Sequence, residues 1–250
     1  MKTILVTQAR MGSTRLPGKV LKKVDGSSLL RIHLDRLNKC KNISGIIVAT
    51  TNTAKDDILY DLVVKWGYTA YRGQETDVLD RYYNAVEDHQ PDWIVRVTSD
   101  CPLIDSGLID EVIRYVQQEG VDYGSNALLD LYPDGQDVEI MRFAALEKAW
   151  KESVLLSERE HVSPYIRKNS NNHGKRLFSA INYPRDSDFS KIRMTVDEPE
   201  DLVVIEELIN ALGIDATWRE YTNYYIKNGL DKINGNNIRN EGYLKSLKKD

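Results

Sequence analysis

Apolar residues in the first hundred positions fall into short runs separated by amphipathic stretches. Residues 3–7 (TILVT), 45–51 (GIIVATT), 68–71 and 93–98 (WIVRVT) are rich in β-branched and aromatic side chains and read as buried strands. Between them Leu29, Leu30, Ile32, Leu34 and Leu37, then Ile58, Leu59, Leu62, Val63 and Trp66, then Val78, Leu79, Tyr82, Tyr83 and Val86 recur at helical spacing. Ser27 or Ser28 can cap the first helix, and Asn52 or Thr53 the second, which Gly67 can end; the third spans 77–88. Strands alternating with helices at this spacing predict βαβ units with right-handed crossovers, hence an open, mostly parallel α/β sandwich. Ligands in such sheets bind beyond the carboxyl ends of the strands.

The second half is less regular. It predicts helices over 104 or 105–118, 143–150, 155–167, 199–212 and 218–228, and strands over 121–125, 137–141, 175–183 and 192–196. Tyr132-Pro133-Asp134-Gly135 reads as a turn. Tyr221, Tyr224 and Tyr225 have the spacing of packing residues. The polar, basic stretch 234–250 reads as a loosely held tail after one domain over 1–233, with the irregular region about 125–185 as an insertion or dimer contact.

Composition narrows the function. With 250 residues the chain can bury a full core, and a formal charge of −4 excludes a general nucleic-acid binder. The two cysteines, Cys40 and Cys101, make no disulfide framework. The chain has no long apolar run to span a bilayer and no signal peptide, so the expectation is a cytoplasmic protein without a membrane partner.

Chemistry concentrates just past the strand ends. Gln8-Ala9-Arg10-Met11-Gly12-Ser13-Thr14-Arg15-Leu16-Pro17-Gly18-Lys19 follows the first strand and sets Arg10, Arg15 and Lys19 among glycines. Glycines admit phosphate oxygens close to backbone N–H groups, and the cations neutralise them. The loop fits neither G-x-x-x-x-G-K-[ST] nor G-x-G-x-x-G, and a plain basic surface loop is the alternative. Asp100 ends the fourth strand and Asp197 precedes a helix; singly, each reads as a loop or capping acid. Together they can hold Mg²⁺, provided that their carboxylates lie within roughly 8 Å, since metal–oxygen distances are near 2 Å.

These segments, with Asp77-Val78-Leu79-Asp80-Arg81-Tyr82, Ser99-Asp100-Cys101-Pro102-Leu103-Ile104-Asp105 and Thr195-Val196-Asp197-Glu198-Pro199-Glu200-Asp201-Leu202, resemble the acylneuraminate and Kdo cytidylyltransferase superfamily. Tyr132-Pro133-Asp134-Gly135-Gln136-Asp137-Val138-Glu139 and Glu158-Arg159-Glu160-His161-Val162 look like its spore-coat polysaccharide biosynthesis protein F branch. The resemblance runs from about Lys2 to Leu212. It implies a GT-A-like nucleotide-diphospho-sugar transferase fold, a homodimer, and activation of a sugar acid by CTP with release of pyrophosphate.

By matching positions, Ala9, Arg10, Gly12, Ser13, Arg15 and Lys19 would cradle the nucleotide, and Gln8 and Met11 share that loop. Asp100 and Asp197 would hold magnesium, and Asp77 and Arg81 would lie between nucleotide and sugar. Gln136, Asp137, Glu139, Arg159 and His161 are candidates for the acceptor, against a plain turn for the first three and a solvated helix face for the last two. Arg185 and Arg193 are further candidates for a carboxylate clamp. The expected chemistry is in-line nucleotidyl transfer, with Arg10, Arg15, Lys19 and Asp100 carrying it. A sugar-1-phosphate nucleotidyltransferase using another base, a glycosyltransferase on the same fold and a nucleotide sensor are the alternatives; base and acceptor stay open.

Overall fold

The apolar runs pair side by side into one sheet. In the computed structural model, which describes residues 1–185 and 187–250, the chain begins with β1 (Thr3–Gln8), a small hairpin of β2 (Lys23–Val24) and β3 (Ser27–Ser28), and α1 (Leu29–Leu37). It continues through β4 (Gly45–Thr51), α2 (Asp57–Lys65), β5 (Thr69–Gly73), α3 (Val78–Val86), β6 (Trp93–Thr98) and α4 (Ser106–Glu119). Then follow β7 (Tyr123–Ser125), β8 (Glu139–Arg142), α5 (Phe143–Glu152), α6 (Leu156–His161), α7 (Pro164–Lys168) and β9 (Ala180–Asn182). The chain closes with α8 (Pro199–Leu212), α9 (Trp218–Asn228), α10 (Asp231–Asn234) and α11 (Glu241–Ser246).

The main sheet has seven strands in the order β5-β4-β1-β6-β8-β7-β9. The first four are mutually parallel, and β8 is antiparallel to both neighbours. This confirms the expected nucleotidyltransferase-type sandwich, a mostly parallel sheet between helical layers. Because successive side chains point to opposite faces, Leu5, Val48 and Val95 join α1, α2 and α4 in one core. Ile4, Val6, Ile47 and Ile94 join α3 and α5 in the other. A third cluster forms where α8 and α9 cover Ile192, Met194 and Val196, and it takes in the buried Tyr221 and Tyr225. No helix among the described residues is long and apolar enough to cross a membrane.

β1 lies between β4 and β6, so the crossovers on its two sides diverge and leave its carboxyl end open. Gln8 pairs with Thr98, which sets the basic loop beside the turn that carries Asp100. Ser28 caps α1, and Asp105 caps α4 by accepting from Leu108 N at 3.0 Å. The caps expected at Asn52 or Thr53 are absent, because a 3-10 turn over Ala54–Asp56 enters α2 first.

Four expectations for the second half are corrected. The helix over 155–167 is two helices, α6 and α7, because Val162 sits at φ 72° and Pro164 opens the second. The strand over 175–183 shrinks to β9. Residues 192–196 form no strand. They thread between two loops, bonding Asp134 (Asp134 N to Ile192 O 2.9 Å, Met194 N to Asp134 O 2.7 Å) and Asp100 (Val196 N to Asp100 O 2.7 Å). Gly135, at φ 104°, permits this approach: a Cβ there would stand 2.7 Å from the Met194 carbonyl carbon. Finally, 234–250 is no loose tail. It includes α11, and Asn234 and Ser246 are buried.

Arg193 fixes the threaded segment, and this corrects its reading as a substrate clamp. Its buried guanidinium reaches Asp134 at 2.6 Å, Asp201 at 2.8 Å and Asp197 at 3.3 Å. Asp201 in turn accepts the Asp197 and Glu198 amides at 2.9 Å each at the start of α8. Removing this cation strands buried carboxylates. Arg193→Met is expected to lower unfolding free energy by about 3–5 kcal/mol, read from urea denaturation of the variant against the parent.

Candidate active site

The loop after β1 is pinned before it can bind anything. Met11 N donates to Asp56 Oδ1 at 2.7 Å, Gly18 N to Met11 O at 3.3 Å, and Leu16 inserts into the third core cluster. Gly18, at φ 64°, turns the chain into the 3-10 turn that begins with Lys19. Arg10, Arg15 and Lys19 thereby line one cleft of about 980 Å³, together with Gln8, Ala9, Gly12 and Ser13. Met11 faces the core instead.

Lys19 joins both ends of the expected site. Its Nζ donates to Asp100 Oδ2 at 3.2 Å, Asp197 Oδ1 at 2.8 Å and Val196 O at 2.8 Å. Two oxygens held by one nitrogen at these distances lie well inside the roughly 8 Å span set above for sharing an ion. Burial alone would lower the Lys19 pKa, but Asp100 and Asp197 outweigh it and raise it. Burial pushes Asp100 up, yet Lys19 and the bond from Thr98 bring it down to about 2. Asp100 thus presents ionised oxygens, and Asp197 a second carboxylate, to a cation already between them, which is the hard donor set that magnesium takes.

The remaining loop cations are paired too. Arg15 meets Asp197 at 3.1 Å, Glu198 at 3.0 Å and Glu241 at 3.1 Å; Arg10 meets Glu75 at 3.1 Å, and Lys55 shares that carboxylate at 3.0 Å. Arg81 is different. It is 2% exposed and lines the cleft, and its Nε and Nη1 have no hydrogen-bond partner among the described residues. Burial lowers its pKa.

The acceptor candidates divide. Asp137, Glu139 and His161 line the cleft; Gln136, Asp77 and Arg159 lie outside its lining. Gln136 is buried, accepting from Asp105 N at 3.0 Å and donating to Leu103 O at 2.9 Å, so its amide braces two turns. Asp77 caps α3 through Asp80 N at 2.9 Å and holds Arg159, whose Nη2 is 2.5 Å away, so the pair clips α3 to α6. Glu139 lines the cleft but is fully engaged by Arg96, Tyr123 and Ser163. Against burial, Arg96 and Arg167 hold its pKa down. Burial pushes Asp137 up to about 7 against the pull of Arg239, and it lowers His161 to about 4, leaving that ring neutral at pH 7. Arg185 packs on the Trp218 and Phe189 rings at 4.7 and 4.9 Å, away from the cleft lining.

Several lining residues were not anticipated. Arg96 and Arg167 are among them, as are Glu75, Glu241, Tyr243 and Lys249. A cation inside the otherwise apolar β6 was a usable signal for Arg96. The others carry none, because only tertiary packing brings them to the cleft.

Beneath the floor, His33 is fully buried, with Nδ1 2.9 Å from Cys101 O and Nε2 3.0 Å from Thr7 Oγ1. A carbonyl only accepts, so Nδ1 carries the proton and Nε2 accepts from the threonine. This supports the turn holding Asp100. Burial lowers the His33 pKa from 6.5 to about 4.

Two outcomes follow. A depressed folded-state pKa contributes stability that is present above pH 6.5 and lost as pH falls toward 4. His33→Gln should therefore flatten the stability–pH slope between those limits by about 1.4 kcal/mol per pH unit, measured by urea denaturation at stepped pH. Arg81→Met replaces a buried cation, whose Nε and Nη1 have no partner among the described residues, with an apolar side chain. It should leave stability equal or raise it by about 1–3 kcal/mol while weakening substrate binding at least tenfold; loss of stability with binding intact would contradict the reading.

A family model described as cytidylyltransferase matches residues 4–233. An uncharacterised protein of Methanocaldococcus jannaschii is 38% identical over 97% of this chain and 98% of its own length. The spore coat polysaccharide biosynthesis protein SpsF of Bacillus subtilis is 33% identical over 84% of this chain and 87% of its own. The solved structure of a cytidylyltransferase from Leptospira borgpetersenii superposes with a TM-score of 0.86 at 33% identity, covering 95% of this chain and 98% of that one.

Proposed function

Because this chain belongs to the cytidylyltransferase family, we propose that it activates a sugar acid with CTP, releasing pyrophosphate, and that the product feeds surface polysaccharide or glycoconjugate synthesis. The observation that carries this is Lys19 lying between Asp100 and Asp197 while Arg15 bonds the same Asp197. Loop cations and two acids, far apart in sequence, converge at one place large enough for a nucleotide.

In this reading an acceptor hydroxyl attacks the α-phosphorus. A new P–O bond forms to the sugar as the hydroxyl gives up its proton to solvent, the bond from the α-phosphorus to the α–β bridging oxygen breaks, and pyrophosphate departs. Arg10, Arg15 and Lys19 hold the β- and γ-phosphates and stabilise the leaving charge. Each already has an acid partner, so phosphate oxygens take over from carboxylates, and the cations are set in place before the nucleotide arrives. Gln8, Ala9, Gly12 and Ser13 line the nucleotide end. Asp100 and Asp197 would hold Mg²⁺, which supplies Lewis-acid charge at the phosphates when bound. Arg81 receives a polar or anionic group between the two substrates, and Asp137 and His161 line the acceptor end. The sugar acid comes from the likeness of the loop and acid motifs to acylneuraminate and Kdo cytidylyltransferases. A homodimer and a cytoplasmic setting belong to the same proposal.

The test is pyrophosphate release with CTP, MgCl₂ and a panel of acids including 3-deoxy-manno-octulosonate and acylneuraminates, with ATP, GTP and UTP as parallel arms. CTP is expected to be preferred, turnover to vanish with EDTA, and Asp100→Asn to lower kcat by about 10²–10³-fold with the fold retained by circular dichroism at the assay temperature. Near-normal turnover of that variant, or equal use of the four nucleotides, would reject the assignment.

A further inference from the structure

The segment after α10 contributes to the cleft although its sequence reads as a tail. Arg239, Glu241, Tyr243 and Lys249 all line it. The segment is held down almost wholly by polar contacts. Asn237 donates to Asp201 at 3.1 Å, and Arg239 donates to Asp137 at 2.7 Å and Tyr132 O at 2.9 Å. Asp250 accepts from Ser157 N at 2.8 Å and Ser157 Oγ at 2.6 Å. The Tyr243 ring stands edge-on to His161 at 5.1 Å. Its large apolar side chains, Ile238, Leu244 and Leu247, are 61%, 49% and 38% exposed. A strip seated without a buried apolar anchor opens at low cost, because local stability follows buried apolar contact.

One of its contacts falls on a residue of the nucleotide loop. Glu241 Oε2 lies 3.1 Å from Arg15 Nη1. A triphosphate offers Arg15 several charged oxygens in place of one carboxylate oxygen and wins that competition. Once it does, Glu241 keeps only Lys245, at 2.7 Å on its own helix, and meets like charge at the cleft, which pushes it away. Glu198 meets the same guanidinium at 3.0 Å but sits at the fixed start of α8, so it cannot swing clear in the same way.

We propose that residues 237–250 form a strap over the acceptor end of the cleft, and that Glu241 couples the strap to the nucleotide by competing with the triphosphate for Arg15. The inference rests on the nucleotide-binding reading above. Nucleotide binding then loosens that wall of the cleft. Coupling of this kind is reciprocal: whatever lifts the strap also tightens triphosphate binding.

Hydrogen–deuterium exchange of residues 237–250 tests this, with calorimetric binding run alongside. The probes are CTP with Mg²⁺, inorganic tripolyphosphate, and CMP. Exchange in the strap should rise with CTP and with tripolyphosphate but not with CMP, which lacks the β- and γ-phosphates. Glu241→Gln should show raised exchange without ligand and bind tripolyphosphate about two- to fivefold tighter. Glu198→Gln should alter tripolyphosphate affinity without changing strap exchange in the free protein. Binding of CTP and tripolyphosphate with unchanged strap exchange would overturn the strap and leave the nucleotide site standing. Failure of both to bind would overturn the nucleotide site, and the strap with it.

Discussion

Compensation of charge inside one cleft is the constraint on which this architecture depends. The sheet brings the ends of β1 and β6 together, and the residues that follow carry cations in one case and an acid in the other. Neither set is tolerable alone in a half-buried place, since an uncompensated ion there meets a desolvation cost that packing cannot offset. Lys19, Arg15 and Arg193 divide Asp100, Asp134, Asp197 and Asp201 among them, and the backbone follows. The threaded segment 192–196 has no strand partners, so it depends on Arg193 and a few backbone bonds to hold Asp197 at the mouth of the cleft. Arg81 is the exception. Two of its buried guanidinium nitrogens, Nε and Nη1, have no hydrogen-bond partner among the described residues, which is the feature on which its proposed substrate role rests.

What could be read from the sequence follows from how each element is stabilised. β1, β4 and β6 are covered on both faces, so their apolar runs are nearly continuous and their limits plain. α1 carries its cap at the expected Ser28, and α3 and α4 open on capping aspartates, Asp77 and Asp105. The second half blurred because its strands are short, and because residues 192–196 are apolar for burial under α8 and α9 rather than for pairing in a sheet. Within 155–167 Pro164 was a legible sign of a break, but nothing announces that Val162 takes a left-handed backbone, a conformation that β-branched residues rarely adopt.

The site shows the same division. The basic loop was legible because its chemistry is contiguous, and the meeting of Asp100 with Asp197 was only a conjecture until Lys19 was seen between them. Asp77 and Arg159 each carried a charge suited to a substrate, and each is satisfied by the other. A pair distant in sequence cannot be told from two free charges by residue type. The segment from 234 onward misled for a related reason: ion pairs and single hydrogen bonds leave no periodic trace, whereas an apolar face does.

The position of Lys19 has one more consequence, concerning when a divalent ion can enter. An ion diffusing in alone must displace a covalently tethered ammonium from both aspartates, and it offers that ammonium nothing in return. An ion arriving on a triphosphate brings oxygens to which the lysine can transfer its bonds. On the proposed reading, a tethered rival of this kind would filter by escort rather than by size, keeping a free divalent ion at low occupancy and admitting one chelated by the nucleotide.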